Sequence, residues 1–218
     1  VGIEVKYCLY SLFCLVGALF FFTASSAAAP FMLNRPVTFE TAYPAPDGKT
    51  KTQVWKVSPS QGNGGAASLV FRPANSPPDS PPFCKIQFEE GADGIPQIRW
   101  TGAGGVVREG QNGMLLMGGF PVACDILPLH QEASEKTYSE KTKAGERTFV
   151  KSMTIRREDV SPQKARREGW IRGDVDGGLL LFTAEDDDGE LIVRQLWSET
   201  GSWWLYEETP FRQSWRVQ

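Results

Sequence analysis

Leu179-Leu180-Leu181-Phe182-Thr183-Ala184, then Asp186-Asp187-Asp188-Gly189, then Glu190-Leu191-Ile192-Val193-Arg194-Gln195-Leu196-Trp197 is the stretch that decides the fold. Two apolar runs of strand length flank four residues whose short carboxylates and terminal glycine suit a tight reversal. The pattern predicts an antiparallel hairpin. Working outward, Trp203–Glu207 and Phe211–Val217 read as closing strands, and Phe149–Arg156 as the strand leading in.

The same alternation of turn clusters and short β-branched or aromatic runs continues toward the N-terminus. Val37–Tyr43 and Lys51–Val57 flank Pro46-Asp47-Gly48-Lys49, a second hairpin. Ser68–Arg72, Phe83–Phe88, Ile95–Trp100, Val106–Glu109 and Met114–Met117 extend the series, with Asn112-Gly113 as its last turn. Pro73–Pro82 is too rich in proline and serine to hold a ladder. Gln131–Glu146 is polar and reads as a solvated excursion, a charged hairpin or a lid. One short helix is expected, capped by Ser161, opened by Pro162 and stopped by Gly169. The fold class is therefore mainly β: a single curved antiparallel sheet or partly closed barrel with one short helix, a β-sandwich being the alternative. In outline this layout resembles the folds of periplasmic lipoprotein carriers, and no motif carries their residues across.

The first 29 residues read as a separate segment. Lys6 precedes an apolar run from Tyr7 to Phe22, and the small residues Ala24-Ser25-Ser26-Ala27-Ala28-Ala29 follow. That is the plan of a signal peptide, cut after Ala27 or Ala28 because Pro30 would hinder a cut after Ala29. The alternative is an uncleaved N-terminal anchor, since Val5–Ala29 is long enough to cross the hydrocarbon core as a helix. Residues 30–218 are then one β-rich domain of roughly 190 residues, large enough for its own core. The expected location is periplasmic or secreted, in a bacterial envelope.

A net charge of −3 argues against a nucleic-acid binder. The chain has four cysteines, and Cys8 and Cys14 fall in the targeting run. Cys84 and Cys124 remain, and in an oxidising compartment they are expected to form one disulfide. Closing that loop of about 40 residues would restrict the unfolded chain by roughly 4 kcal/mol. With one histidine, His130, a multi-histidine metal site is excluded. No cofactor motif is present: Thr101-Gly102-Ala103-Gly104-Gly105 lacks the following helix that a phosphate cradle needs. Glu185–Glu190 fails the chelating register of a calcium loop at both ends. Ser161-Pro162-Gln163-Lys164 has the spacing of a serine–lysine nucleophile but reads as a helix cap.

Two features point to binding. Trp170, Trp197, Trp203, Trp204 and Trp215 gather in the last quarter of the chain as a candidate ligand or partner surface. Trp203 and Trp204, adjacent on a strand, would face opposite sides of the sheet, one in the core and one outside it. Arg156, Arg157, Lys164, Arg166, Arg167 and Arg172 form a basic block that could meet an anionic partner, or be neutralised by the acidic block after it. The leading reading is a non-enzymatic binding module for an apolar ligand or envelope partner. The alternatives are a structural subunit of an envelope complex held by its N-terminal helix, and an envelope hydrolase built on Cys124, Asp125 and His130.

Overall fold

A computed structural model describes residues 33, 35–61, 67–77, 79–89, 91, 94–118, 120–129, 131–144, 147–199 and 203–217, without the side chains of 61, 140–144 and 147–150. Residues 1–29, read above as a signal peptide or anchor, and His130 lie outside these residues. The chain forms β1 (Val37–Pro44), β2 (Thr50–Gln61), β3 (Ala67–Pro73), β4 (Cys84–Glu89), β5 (Gln97–Gly102), β6 (Val107–Gly110), β7 (Glu135–Ala144) and β8 (Arg147–Val160). After the helix α1 (Pro162–Arg167) come β9 (Leu179–Asp186), β10 (Leu191–Ser198), β11 (Tyr206–Thr209) and β12 (Arg212–Val217).

All twelve strands belong to one curved antiparallel sheet that does not close, in the order β6-β5-β4-β3-β2-β1-β12-β11-β10-β9-β8-β7. Two six-strand meanders are joined at the middle, where the first strand pairs with the last through Thr41 opposite Ser214. This topology has a direct consequence. β6 and β7 are consecutive in the chain yet occupy the two edges of the sheet, so residues 111–134 must pass from one edge to the other.

They do so across the inner face. Asn112 (φ 52°) and Gly113 (φ 69°) make the turn that leaves β6, as expected for Asn-Gly. Leu115 and Ile126 then exchange backbone hydrogen bonds of 2.9 and 2.7 Å. Leu115, Val122, Cys124, Ile126 and Leu127 are buried against the inward residues of the sheet, among them Phe39, Trp55, Phe71, Ile86 and Trp100. Met114–Met117 is thus not the extended sheet strand its composition suggests. It makes isolated bridges in a cover that lies over the sheet.

Three further expectations are refined. The polar stretch from Gln131 becomes an edge strand from Glu135 onward, paired with β8 from Glu135–Arg156 to Ala144–Arg147. Ser161 caps α1 by accepting a hydrogen bond from the Lys164 amide (3.2 Å), with Pro162 in the first turn and Gly169 (φ 75°) beyond the end. In the acidic turn, Asp186 accepts from the amides of Asp188 (3.0 Å) and Glu190 (2.9 Å), so its carboxylate holds the reversal together. The outer face of β9–β12 has its own small core of Leu179, Leu181, Leu196 and Tyr206 under Ala165 of α1 and Ile171.

Candidate functional site

Because the sheet stays open, a seam remains between its two edges. It forms a cleft of about 820 Å³ lined by Arg108 and Gly110 of β6, Tyr138 of β7, Met153 of β8 and the cover residues Leu115 and Leu116. Met114 and Ile192 add further apolar wall, and Asp186–Asp188 stand at its margin. Tyr138 and Met153 face each other across β7 and β8, so one turn of the strand alternation aims both inward. Burial alone raises the Tyr138 phenol, which keeps it a neutral hydroxyl beside an apolar wall.

Behind this cleft the cover is anchored by a buried charge cluster. Arg212 of β12 pairs with Asp125 of the cover and with Glu207 of β11 at 2.5 Å, and all three side chains are excluded from solvent. The Arg212 guanidinium also donates to the carbonyls of Gly118 and of Phe120 (2.9 Å). Asp125 returns the contact by accepting from the amides of Met117 and Gly118. Gln195 of β10 donates to Glu207 (2.6 Å) and to the Asp125 carbonyl (2.5 Å), and accepts from the Trp197 indole (3.2 Å).

Strand register places these groups. Gln195 lies opposite Glu207, Glu207 opposite Ser214 and Ser214 opposite Thr41, so one cross-strand row of the inner face is polar. Thr41 and Ser214 close the row with a 2.9 Å hydroxyl contact. Burial, the chief cause, raises the Glu207 carboxyl to about 7; Arg212 opposes the rise and the neighbouring Asp125 adds to it. Burial acts against the charged Arg212, but Glu207 and Asp125 outweigh it and hold the guanidinium above its ordinary range.

The cysteines meet at the edge of this cluster. Cys84 sits on the inner face of β4, Cys124 sits in the cover, and both are buried free thiols. The expected bridge is therefore absent from the structure, although both cysteines lie in the same inner core. Burial first, then the neighbouring Cys84 and the charge of Asp125, raise the Cys124 thiol well above its usual value. A hydrolytic nucleophile needs the opposite shift and an open approach. Cys124 has neither, and Asp125 is committed to Arg212.

The tryptophans divide differently from expectation. Trp203 and Trp204 precede β11 in a bend, so strand alternation does not apply, and both are 0% exposed on the inner core. Trp204 packs on Phe39 (5.0 Å), and Trp203 on Trp197 (5.7 Å), itself buried. Trp170 and Trp215 are only partly buried on the outer face, and line a groove of about 1180 Å³ with Arg172, Val175, Leu205 and Val217. There Arg172 lies 4.1 Å over Trp215 and pairs with Glu40 at 2.9 Å. The Trp215 indole donates to the Gly169 carbonyl (2.9 Å).

The basic block is dispersed and paired. Arg156 bridges Glu135 (2.8 Å) and Glu185, Lys164 meets Glu158, Arg166 meets Asp174, and Arg167 meets Glu168. Arg157 donates to the Glu132 carbonyl (3.3 Å). These pairs join residues of β7–β9, α1 and the following loop, so the block does not stand as one free cationic face.

No family model and no curated protein matches this chain. Among solved structures, one described as "putative outer membrane lipoprotein-sorting protein domain from Vibrio parahaemolyticus" is similar over 83% of this chain and 81% of that one, at 10% identity and a TM-score of 0.32.

Alternation alone could have flagged Arg212, Glu207 and Gln195, since each occupies an inward slot of a strand otherwise filled for a core. The cleft left no comparable signal, because Met114–Leu116, Tyr138, Met153 and Ile192 come from separate parts of the sequence.

Proposed function

We propose that this protein is a binding module of the bacterial envelope that takes an apolar ligand at the open seam of its sheet. The observation that carries the reading is the cleft between the sheet edges, walled by Leu115, Leu116, Met153 and Ile192 and closed behind by the cover. The wall of Met114, Leu115, Leu116, Met153 and Ile192 suits a hydrocarbon chain or apolar side chain, and the charged Arg108, Glu109, Lys151 and Asp186–Asp188 that also line the cleft suit a polar end on the same ligand. The leader-like N-terminus supports an envelope location.

The test is a fluorescence titration of the full chain with N-phenylnaphthylamine, a neutral apolar probe. Leu116→Asp and Ile192→Asp each place a carboxylate in the wall and should weaken binding about tenfold or more, a loss of at least ~1.4 kcal/mol. Trp215→Ala, on the outer face, should leave it unchanged. Equal binding by the cleft variants and the parent would remove the reading. Loss of binding in Trp215→Ala instead would move the ligand to the outer groove.

A further inference from the structure

We propose that the outer groove is a second binding site, for an amphiphilic anion whose phosphate or carboxylate head is held by Arg35 and Arg216. The groove that Trp170 and Trp215 line continues past the ends of β1 and β12, where these two arginines join its wall. Strand register accounts for their shared position. Thr38 lies opposite Val217 and Phe39 opposite Arg216, so the chain that enters β1 through Arg35 does so at the end of β12. The Arg216 amide donates to the Leu205 carbonyl (2.9 Å), which fixes this corner to the bend before β11.

Most other charges of the groove are already matched: Arg172 pairs with Glu40, and Asp174 with Arg166. Arg35 and Arg216 form no ion pair with a carboxylate among the described residues, Asp176 of the same wall included. Two guanidinium groups on one wall without a carboxylate between them repel, and Arg216 is partly buried as well. Burial first, and the charge of Arg35 second, hold the Arg216 guanidinium below its ordinary range. A phosphate or carboxylate relieves both effects, because its oxygens accept from the forked N–H groups that arginine presents. The rest of the wall says what the anion is attached to. Val217, next to Arg216, is 41% exposed, and Leu205 and Val175 add partly buried aliphatic surface. A hydrocarbon body removes that surface from water, which a bare inorganic anion cannot do. No residue lines both this groove and the seam cleft, so the two sites are independent.

The experiment is an amide NMR titration of the isotope-labelled full chain with octyl phosphate, which locates binding residue by residue. The signals of Arg35, Leu205 and Val217 should shift and saturate, and inorganic phosphate should bind about tenfold more weakly or worse. Octyl glucoside, with the same chain and a neutral head, should leave those signals in place. Arg35→Gln and Arg216→Gln should each weaken octyl phosphate by about tenfold, with spectra otherwise unchanged to show that the fold is intact. Three outcomes would overturn the site: no shift at these residues in the parent, unchanged affinity in both arginine variants, or equal affinity for inorganic and octyl phosphate. Shifts confined to Leu116, Met153 and Ile192 are the first of these, and would leave the cleft reading in place.

Discussion

Arg212 and Asp125, 87 positions apart, share an ion pair from which water is excluded on every side. One belongs to the last strand and the other to the segment crossing the inner face, so this pair ties the cover to the centre of the sheet. The cost of burying the charges is offset because Glu207, Gln195 and the backbone of Met117, Gly118 and Phe120 saturate most of their hydrogen-bonding capacity.

Replacing Arg212 by methionine keeps much of its volume and leaves two buried carboxylates facing each other. Stability should fall by about 3–5 kcal/mol, the usual cost of breaking a buried pair from one side. Urea denaturation followed by tryptophan fluorescence would measure it, and a change below ~1 kcal/mol would mean that the cluster is not the anchor of the cover.

The raised Glu207 carboxyl gives a pH dependence of definite sign. Folded, its pKa is about 7, above the ordinary 4.5 of a glutamate, so the native state binds more protons between these limits. Its stabilising contribution is fully present below about pH 4.5 and is lost as pH rises through about 7. Glu207→Gln, neutral throughout, should gain in melting temperature relative to the parent as pH is raised across that window. Parallel curves for the two proteins would contradict the assignment.

Gly110 should not tolerate alanine. An added Cβ would lie 2.1 Å from the Met114 carbonyl oxygen and 3.0 Å from the Ile98 Cβ, and the first of these is backbone that cannot swing aside. Gly110→Ala should cost roughly 1–3 kcal/mol through displacement of the turn at Asn112-Gly113. Thermal denaturation read by circular dichroism would report the loss; an unchanged midpoint would show that the turn accommodates the methyl.

Trp203 and Trp215 should part company under substitution. Trp203→Ala empties a fully buried site and should cost about 3–5 kcal/mol. Trp215→Ala removes a partly exposed ring with one hydrogen bond and one guanidinium contact, and should cost on the order of 1–2 kcal/mol. Denaturant midpoints of the two variants decide the order, and a reversed order would place the structural tryptophan on the wrong face.

Local signals were sufficient for the elements. The Asp186–Gly189 reversal, the Asn112-Gly113 turn and the Ser161 cap are short-range, because each satisfies its own backbone within four residues. The mainly β class followed from them, since alternating runs between such turns bury one face only when laid side by side. Met114–Met117 and Trp203–Trp204 could not be read this way. Both have the composition of strands, and what placed them in the core instead was the order of the strands: with β6 and β7 at opposite edges, the joining segment had to occupy the inner face, where Trp203 and Trp204 share its core.

The sequence by itself determined the turns, the helix cap, the antiparallel class and most of the strands, for these rest on periodicity and local hydrogen bonding. Only the tertiary structure decided that β1 and β12 meet at the centre, that Arg212, Asp125, Glu207 and Gln195 converge, and that a cleft stays open at the seam. Those outcomes depend on which edges are left unpaired when two meanders join, and on the need to partner every buried charge, and neither condition is expressed over neighbouring residues.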